Sequence, residues 1–167
     1  MPKAPHYECF EFSVHGGIAH LKMSRPERRN AMTVAFWKEL PEIVRGLEAR
    51  ALVISSSGPH FTAGMDVSIF ASSTLGTGSV AERRVFRAKL EELQETFNAL
   101  ADAPFPVIAA VQGGCIGGGV DLATACCLRY ATRDHSVAES FDYLNALQPA
   151  IFDLEEIKRA LANAKRG

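Results

Sequence analysis

The run Gly113-Gly114-Cys115-Ile116-Gly117-Gly118-Gly119 puts five glycines into seven residues, directly after the apolar stretch Val107–Val111 and directly before a helix-compatible segment. A short apolar run bounded by breakers reads as a buried strand. The glycines that follow leave backbone N–H groups bare and let the chain approach a ligand or a neighbouring element closely. A helix N-terminus at that place favours negative charge. The residues alone equally allow the glycines to serve only tight packing of helix on strand. Two phosphate motifs do not fit. The P-loop spacing ends in Gly119 and Val120 where Lys and Ser/Thr are needed, and no G-x-G-x-x-G register exists.

The rest of the chain alternates strand and helix signals around this run. Phe10, Phe12 and Val14 alternate with Glu11 and Ser13, Gly16-Gly17 turns the chain, and Ile18 to Met23 completes a predicted hairpin. Thr33 is placed to N-cap a helix carrying Phe36, Trp37, Leu40, Ile43, Val44 and Leu47, which Pro41 is expected to kink or restart. Ala51 to Ser55 reads as a buried strand with both faces covered. Ser72 to Ser79 reads as a mobile polar loop. From Ala81 to Ala101, Phe86, Leu90, Leu93, Phe97 and Leu100 recur at helical spacing. A helix from Gly118 to Cys126 and a strand from Leu128 to Thr132 follow. This order predicts an α/β domain with right-handed crossovers.

Composition narrows the function. The 167 residues, with 47% hydrophobic and 22% charged content, suffice for one buried core. A net charge of −1 offers no field of one sign for nucleic acid or an anionic membrane, so neither is expected as a partner. No apolar run approaches the roughly 20 residues that span a bilayer, and the first residues lack a signal-peptide core. The chain is read as soluble and intracellular, with the mitochondrial matrix, the peroxisomal matrix and the cytoplasm all open. Its four cysteines form no C-x-x-C pair and its five histidines no H-E-x-x-H, so no metal site is expected.

Asp121 falls in the first turn of the helix after the glycine run, where the helix dipole favours a carboxylate whether or not it catalyses. Beside bare amides it gains a second reading. Removing a proton next to a carbonyl needs a base on the carbon and donors on the oxygen. The segment His60 to Asp66 follows the first buried strand as the glycine run follows the second. Both loops thus leave the end of a parallel sheet where ligands bind. The small Ala63 and Gly64 would let the Met65 N–H face a substrate, and an ordinary turn before a helix is the alternative.

The segments Arg25-Pro26-Glu27-Arg28-Arg29-Asn30-Ala31-Met32, Phe61-Thr62-Ala63-Gly64-Met65-Asp66 and Gly113 to Leu122, in that order, resemble the crotonase (enoyl-CoA hydratase/isomerase) superfamily. The likeness is greatest to its dienoyl-CoA isomerases and covers about Phe10 to Asp134. It implies a crotonase-like spiral of repeated ββα turns over residues 1–134 and a C-terminal helical segment over 138–167 that forms a homotrimer or dimer of trimers. It further implies an acyl-CoA substrate whose thioester oxygen is held by the amides of Met65 and Gly118, with Asp121 as the acid/base. Arg28, Ala31, Ala63, Gly64, Asp66 and Gly117 would line the CoA path. No cofactor is implied beyond the CoA that the substrate carries. The activity implied is isomerisation of a dienoyl-CoA, with hydration of a 2-enoyl-CoA, or acyl-CoA binding without chemistry, as alternatives.

The sequence also departs from the family pattern. After Asp134 the family continues into further ββα turns that supply a second acidic residue. Here Arg133 to Val137 runs straight into Glu139 and a tail with Phe141, Leu144, Leu147, Leu154, Ile157 and Leu161 at apolar positions. Part of the spiral is thus missing. Glu139 is read as a solvated helix position, and Cys127 stands where an acidic residue is common. The join between a helix ending near Glu48 and the strand at Ala51 is also abrupt. Residues left out of a continuous numbering would account for both joins, a reading preferred to a true deletion.

Overall fold

A computed structural model describes residues 6–66, 68–69 and 79–132. Strands β1 (Phe10–His15) and β2 (Ile18–Met23) form the expected hairpin, with Phe10 opposite Met23 and His15 opposite Ile18. Its two-residue turn holds Gly16 and Gly17 at φ of 57° and 77°, the left-handed region that tight hairpins need. Strands β3 (Ala51–Ser56), β4 (Val107–Val111) and β5 (Leu128–Ala131) then add in parallel, giving the order β1-β2-β3-β4-β5. Helices α1 (Val34–Arg45), α2 (Val80–Ala101) and α3 (Gly118–Ala125) connect successive parallel strands, as the alternating pattern predicts.

One sheet face forms the core. Ala19, Leu21, Leu52, Ile54, Val107 and Ala109 are fully buried there, together with Leu40, Leu100 and Leu122 from the three helices. Burial of each such leucine is worth about 1.5 to 3 kcal/mol. The other face corrects the expectation for β3. Val53 and Ser55, with Lys22, Ile108 and Ala110 on neighbouring strands, are only half-buried, and β5 is exposed along its length.

Helix α1 begins at the expected Thr33, but the threonine hydroxyl does not cap it; Thr33 Oγ1 lies 3.3 Å from the Cys9 thiol. Pro41 does not restart the helix, which runs through it to Arg45. Proline lacks the N–H that would bond the carbonyl of residue 37. Thr96 Oγ1 on α2 donates to that carbonyl instead, at 3.3 Å from Trp37 O, from a fully buried site. Because α1 ends at Arg45, residues Gly46–Arg50 are free to reverse the chain, and Arg50 N donates to Gly17 O at 2.7 Å. The join is therefore less abrupt than the sequence suggests, with five residues between α1 and β3.

Helix α2 starts earlier than its apolar spacing suggests. Ser79 Oγ accepts from Glu82 N at 3.1 Å and Glu82 Oε2 accepts from Ser79 N at 2.7 Å, a capping box. Only its second half is core: Leu93, Thr96, Ala99 and Leu100 are buried, Phe86 is half-buried, and Leu90 is exposed. The Ser72–Ser79 loop apart from Ser79, the join after Asp134, Glu139 and the helical segment 138–167 lie outside the described residues.

Candidate active site

The site is built from polar side chains that lock three loops together at the C-terminal end of the parallel strands. Arg29 and Asn30 both take left-handed φ, 50° and 52°, which turns the chain after the short 3-10 helix Pro26–Arg28. Buried Asn30 then serves three partners. Its Oδ1 accepts from Arg25 N at 2.9 Å, and its Nδ2 donates to Ser57 O at 2.8 Å and His60 O at 3.1 Å. Thr62 Oγ1 donates to Asn30 O at 2.7 Å and accepts from Gly64 N at 3.0 Å. Gln112 Nε2 ties the end of β4 to Ser56 O at 2.8 Å. Asn30, Thr62 and Gln112 were not singled out from sequence. A buried polar residue in a loop is the one signal that points to them, and burial emerges only in the fold.

Two parallel bridges then place the amides. Thr62 pairs with Cys115: its N donates to Gly114 O at 3.1 Å and its O accepts from Ile116 N at 3.1 Å. Met32 pairs with Met65 through Met32 N to Gly64 O at 2.8 Å and Asp66 N to Met32 O at 3.0 Å. Those bonds use the groups on either side of Met65. Backbone alternation therefore turns the amide of Met65 away from Met32. Gly118 begins α3, where an N–H has no intrahelical acceptor. Neither the Met65 nor the Gly118 amide donates to a protein acceptor among the described residues.

The loops touch closely at the glycines. A Cβ on Gly64, which has φ of 82°, would lie 2.5 Å from Ile116 O and 3.3 Å from Gly118 N. Gly118 backs onto Met32 Sδ, Trp37 and Phe97. Gly117, with φ of 53°, makes the turn into α3. The reading that these glycines only allow packing is thus half right. They do permit close approach, and the same approach brings Gly64 against Ile116 and Gly118.

Asp121 lies one turn along α3 from Gly118, on a cleft of about 460 Å³ between α2 and α3 that Gln94, Phe97, Asn98, Ala101, Thr124 and Ala125 also line. Phe97 borders both the cleft and Gly118. Desolvation raises the Asp121 carboxyl above its usual 3.8, although the residue as a whole is exposed. Asp66 behaves oppositely: its hydrogen bond from Ser68, with Arg25 and Arg28 nearby, lowers its pKa. Arg28 is exposed and Ala31 half-buried, on the segment that Ala63 N joins through Arg29 O at 2.9 Å. Cys127 is exposed, and its sulfur accepts from Val107 N at 3.4 Å.

Among the described residues, a mixed five-stranded sheet with helices crossing between its parallel strands, and two loops in close contact at Gly64 and Gly118, define a crotonase-like α/β protein. The chain belongs to the enoyl-CoA hydratase/isomerase family, whose sequence profile matches residues 13–162. The human mitochondrial Delta(3,5)-Delta(2,4)-dienoyl-CoA isomerase is 46% identical over 124 residues, 70% of this chain and 38% of that protein. Its mouse counterpart is 37% identical over 164 residues, 93% of this chain and 46% of that protein. A putative enoyl-CoA hydratase from Thermobifida fusca YX, solved with acetoacetyl-CoA, superposes with a TM-score of 0.66 at 33% identity, covering 80% of this chain and 56% of that one. The chain thus spans about two fifths to one half of the length of these curated relatives. No helix among the described residues is long and apolar enough to cross a membrane.

Proposed function

We propose that the chain binds a fatty acyl-CoA through its thioester oxygen and moves double bonds along the acyl group, converting a 3,5-dienoyl-CoA into its 2,4-isomer. The observation that carries this reading is the close approach of Gly64, the neighbour of Met65, to the start of α3 at Gly118, one turn from Asp121 on its cleft. The Asp121 carboxylate takes a proton from a chain carbon, electrons shift toward the thioester, and the enolate oxygen rests between the two amides. A proton returned to a different carbon completes the isomerisation with no net change in atoms or charge. One oxyanion donor of this kind is worth about 3 to 4 kcal/mol in the transition state. A carboxyl held above its usual range suits a proton that must leave and return near neutral pH. CoA enters as part of the substrate, and proton transfer needs no further cofactor.

Arg28, Ala31, Ala63, Gly64, Asp66 and Gly117 line the CoA path in this reading, the core ends at Asp134, and residues 138–167 form a homotrimer or paired trimers. The likeness to dienoyl-CoA isomerases at 37 to 46% identity supports isomerisation over hydration. The test offers the full chain a 3,5-dienoyl-CoA and follows the absorbance of the conjugated product, with Asp121→Asn as control. Consumption of a 2-enoyl-CoA instead would establish hydration. Tight acetoacetyl-CoA binding with no turnover of either substrate would establish a binder without chemistry. Among the described residues Asp121 is the one carboxylate on the cleft, which is what favours that last alternative over the hydratase.

A further inference from the structure

His60 is the side chain that reaches from the β3 loop to the glycine run. Its Nδ1 lies 3.1 Å from Gly114 N, and a backbone amide only donates, so Nδ1 is the acceptor and carries no proton. The residue is held from behind, since its carbonyl accepts from Asn30 Nδ2 at 3.1 Å and from Ser56 Oγ at 3.0 Å. The glycine run is seated flush against it: a Cβ on Gly113 would fall 2.0 Å from Pro59 O and 3.0 Å from His60 Nδ1. From Gly114 the register passes through Thr62 to Ile116, and Ile116 O accepts from Gly119 N at 2.9 Å, next to Gly118.

We propose that His60 is a positioning residue, whose unprotonated Nδ1 anchors the Gly114 amide and thereby sets the direction in which Gly118 presents its N–H. The role of that N–H rests on the oxyanion reading above; the anchoring does not.

The test compares wild type, His60→Leu, which removes the acceptor, and His60→Asn, whose Oδ1 can stand where Nδ1 stood. Amide resonances of the isotopically labelled full chain are recorded without ligand, and acetoacetyl-CoA affinity is measured separately. His60→Leu should shift the Gly114 and Gly118 amides and weaken binding about tenfold, the effect of orphaning one half-buried donor. His60→Asn should restore both. An unmoved Gly118 amide in His60→Leu, or equal losses in the two variants, overturns the proposal. If His60→Leu does not fold, the wild type decides: its His60 must show an unprotonated Nδ1 coupled to the Gly114 N–H, and a proton on Nδ1 overturns it. Failure of the wild type to bind acetoacetyl-CoA would reject the oxyanion reading alone, and the resonances would still decide His60.

Discussion

Gly64 and Gly118 approach so closely that a single methyl group on Gly64 would stand 3.3 Å from the Gly118 nitrogen and 2.5 Å from the neighbouring Ile116 oxygen. Gly64 also holds φ at 82°, which costs an alanine about 1 to 2 kcal/mol before any clash. Gly64→Ala should therefore push the two loops apart and abolish acetoacetyl-CoA binding while the far-ultraviolet circular dichroism stays that of the wild type. Calorimetric titration checks this, and retained affinity would refute the placement of the amides.

On the proposed reading, Asp121→Asn moves activity and stability in opposite directions. Because burial raises its carboxyl above the usual 3.8, the folded state holds this proton more tightly than the unfolded chain does. Stability from this group is present below the unfolded value and is lost as pH rises through the folded one. Asp121→Asn should thus melt slightly higher than wild type near neutral pH, with the gap closing on acidification below 3.8, while isomerase turnover disappears. Melting curves across pH and the dienoyl-CoA assay read the two effects separately.

Thr96 and Pro41 form a compensating pair across two helices. Removing the hydroxyl in Thr96→Val leaves Trp37 O without its donor and should cost about 1 to 2 kcal/mol in urea unfolding. Pro41→Ala returns a main-chain N–H to that carbonyl. The loss caused by Thr96→Val should accordingly shrink in the Pro41→Ala background, and a double-mutant cycle with no coupling would show that the bond contributes nothing.

Ser79→Ala dismantles the capping box at the start of α2 and should cost about 1 kcal/mol. The loss should appear as faster amide exchange in the first turns after Val80. Acetoacetyl-CoA affinity should hold, since α2 meets the cleft only from Gln94 onward.

The succession of strands and helices and the placement of the glycine run were legible because they depend on local pattern: an apolar pentapeptide, a breaker, and helical spacing. The pairing of Met65 with Gly118 as donors is implied by the resemblance and not by spacing. The misreadings have tertiary causes. Pro41 looks like a break until a hydroxyl from another helix serves Trp37 O. Leu90 looks like core until burial along α2 is seen to begin only at Leu93, leaving Leu90 39% exposed. The Ser79 to Glu82 box was hidden inside a polar segment whose composition resembles a loop. Asn30, His60 and Gln112 carry no periodic signal at all, and their value lies in carbonyls and amides brought to them by distant segments.

The bridges that pair Thr62 with Cys115 and Met32 with Met65 are formed by main chain alone. A candidate site whose donors are peptide groups is inherited as a path of the backbone, so selection acts on glycines and on loop length more than on the side chains projecting from Met65 or Ile116. Those side chains are free to drift and to reshape the surroundings of a bound acyl chain without relocating the donors. A substitution at such a position changes what surrounds the site while the peptide groups stay where the backbone path puts them.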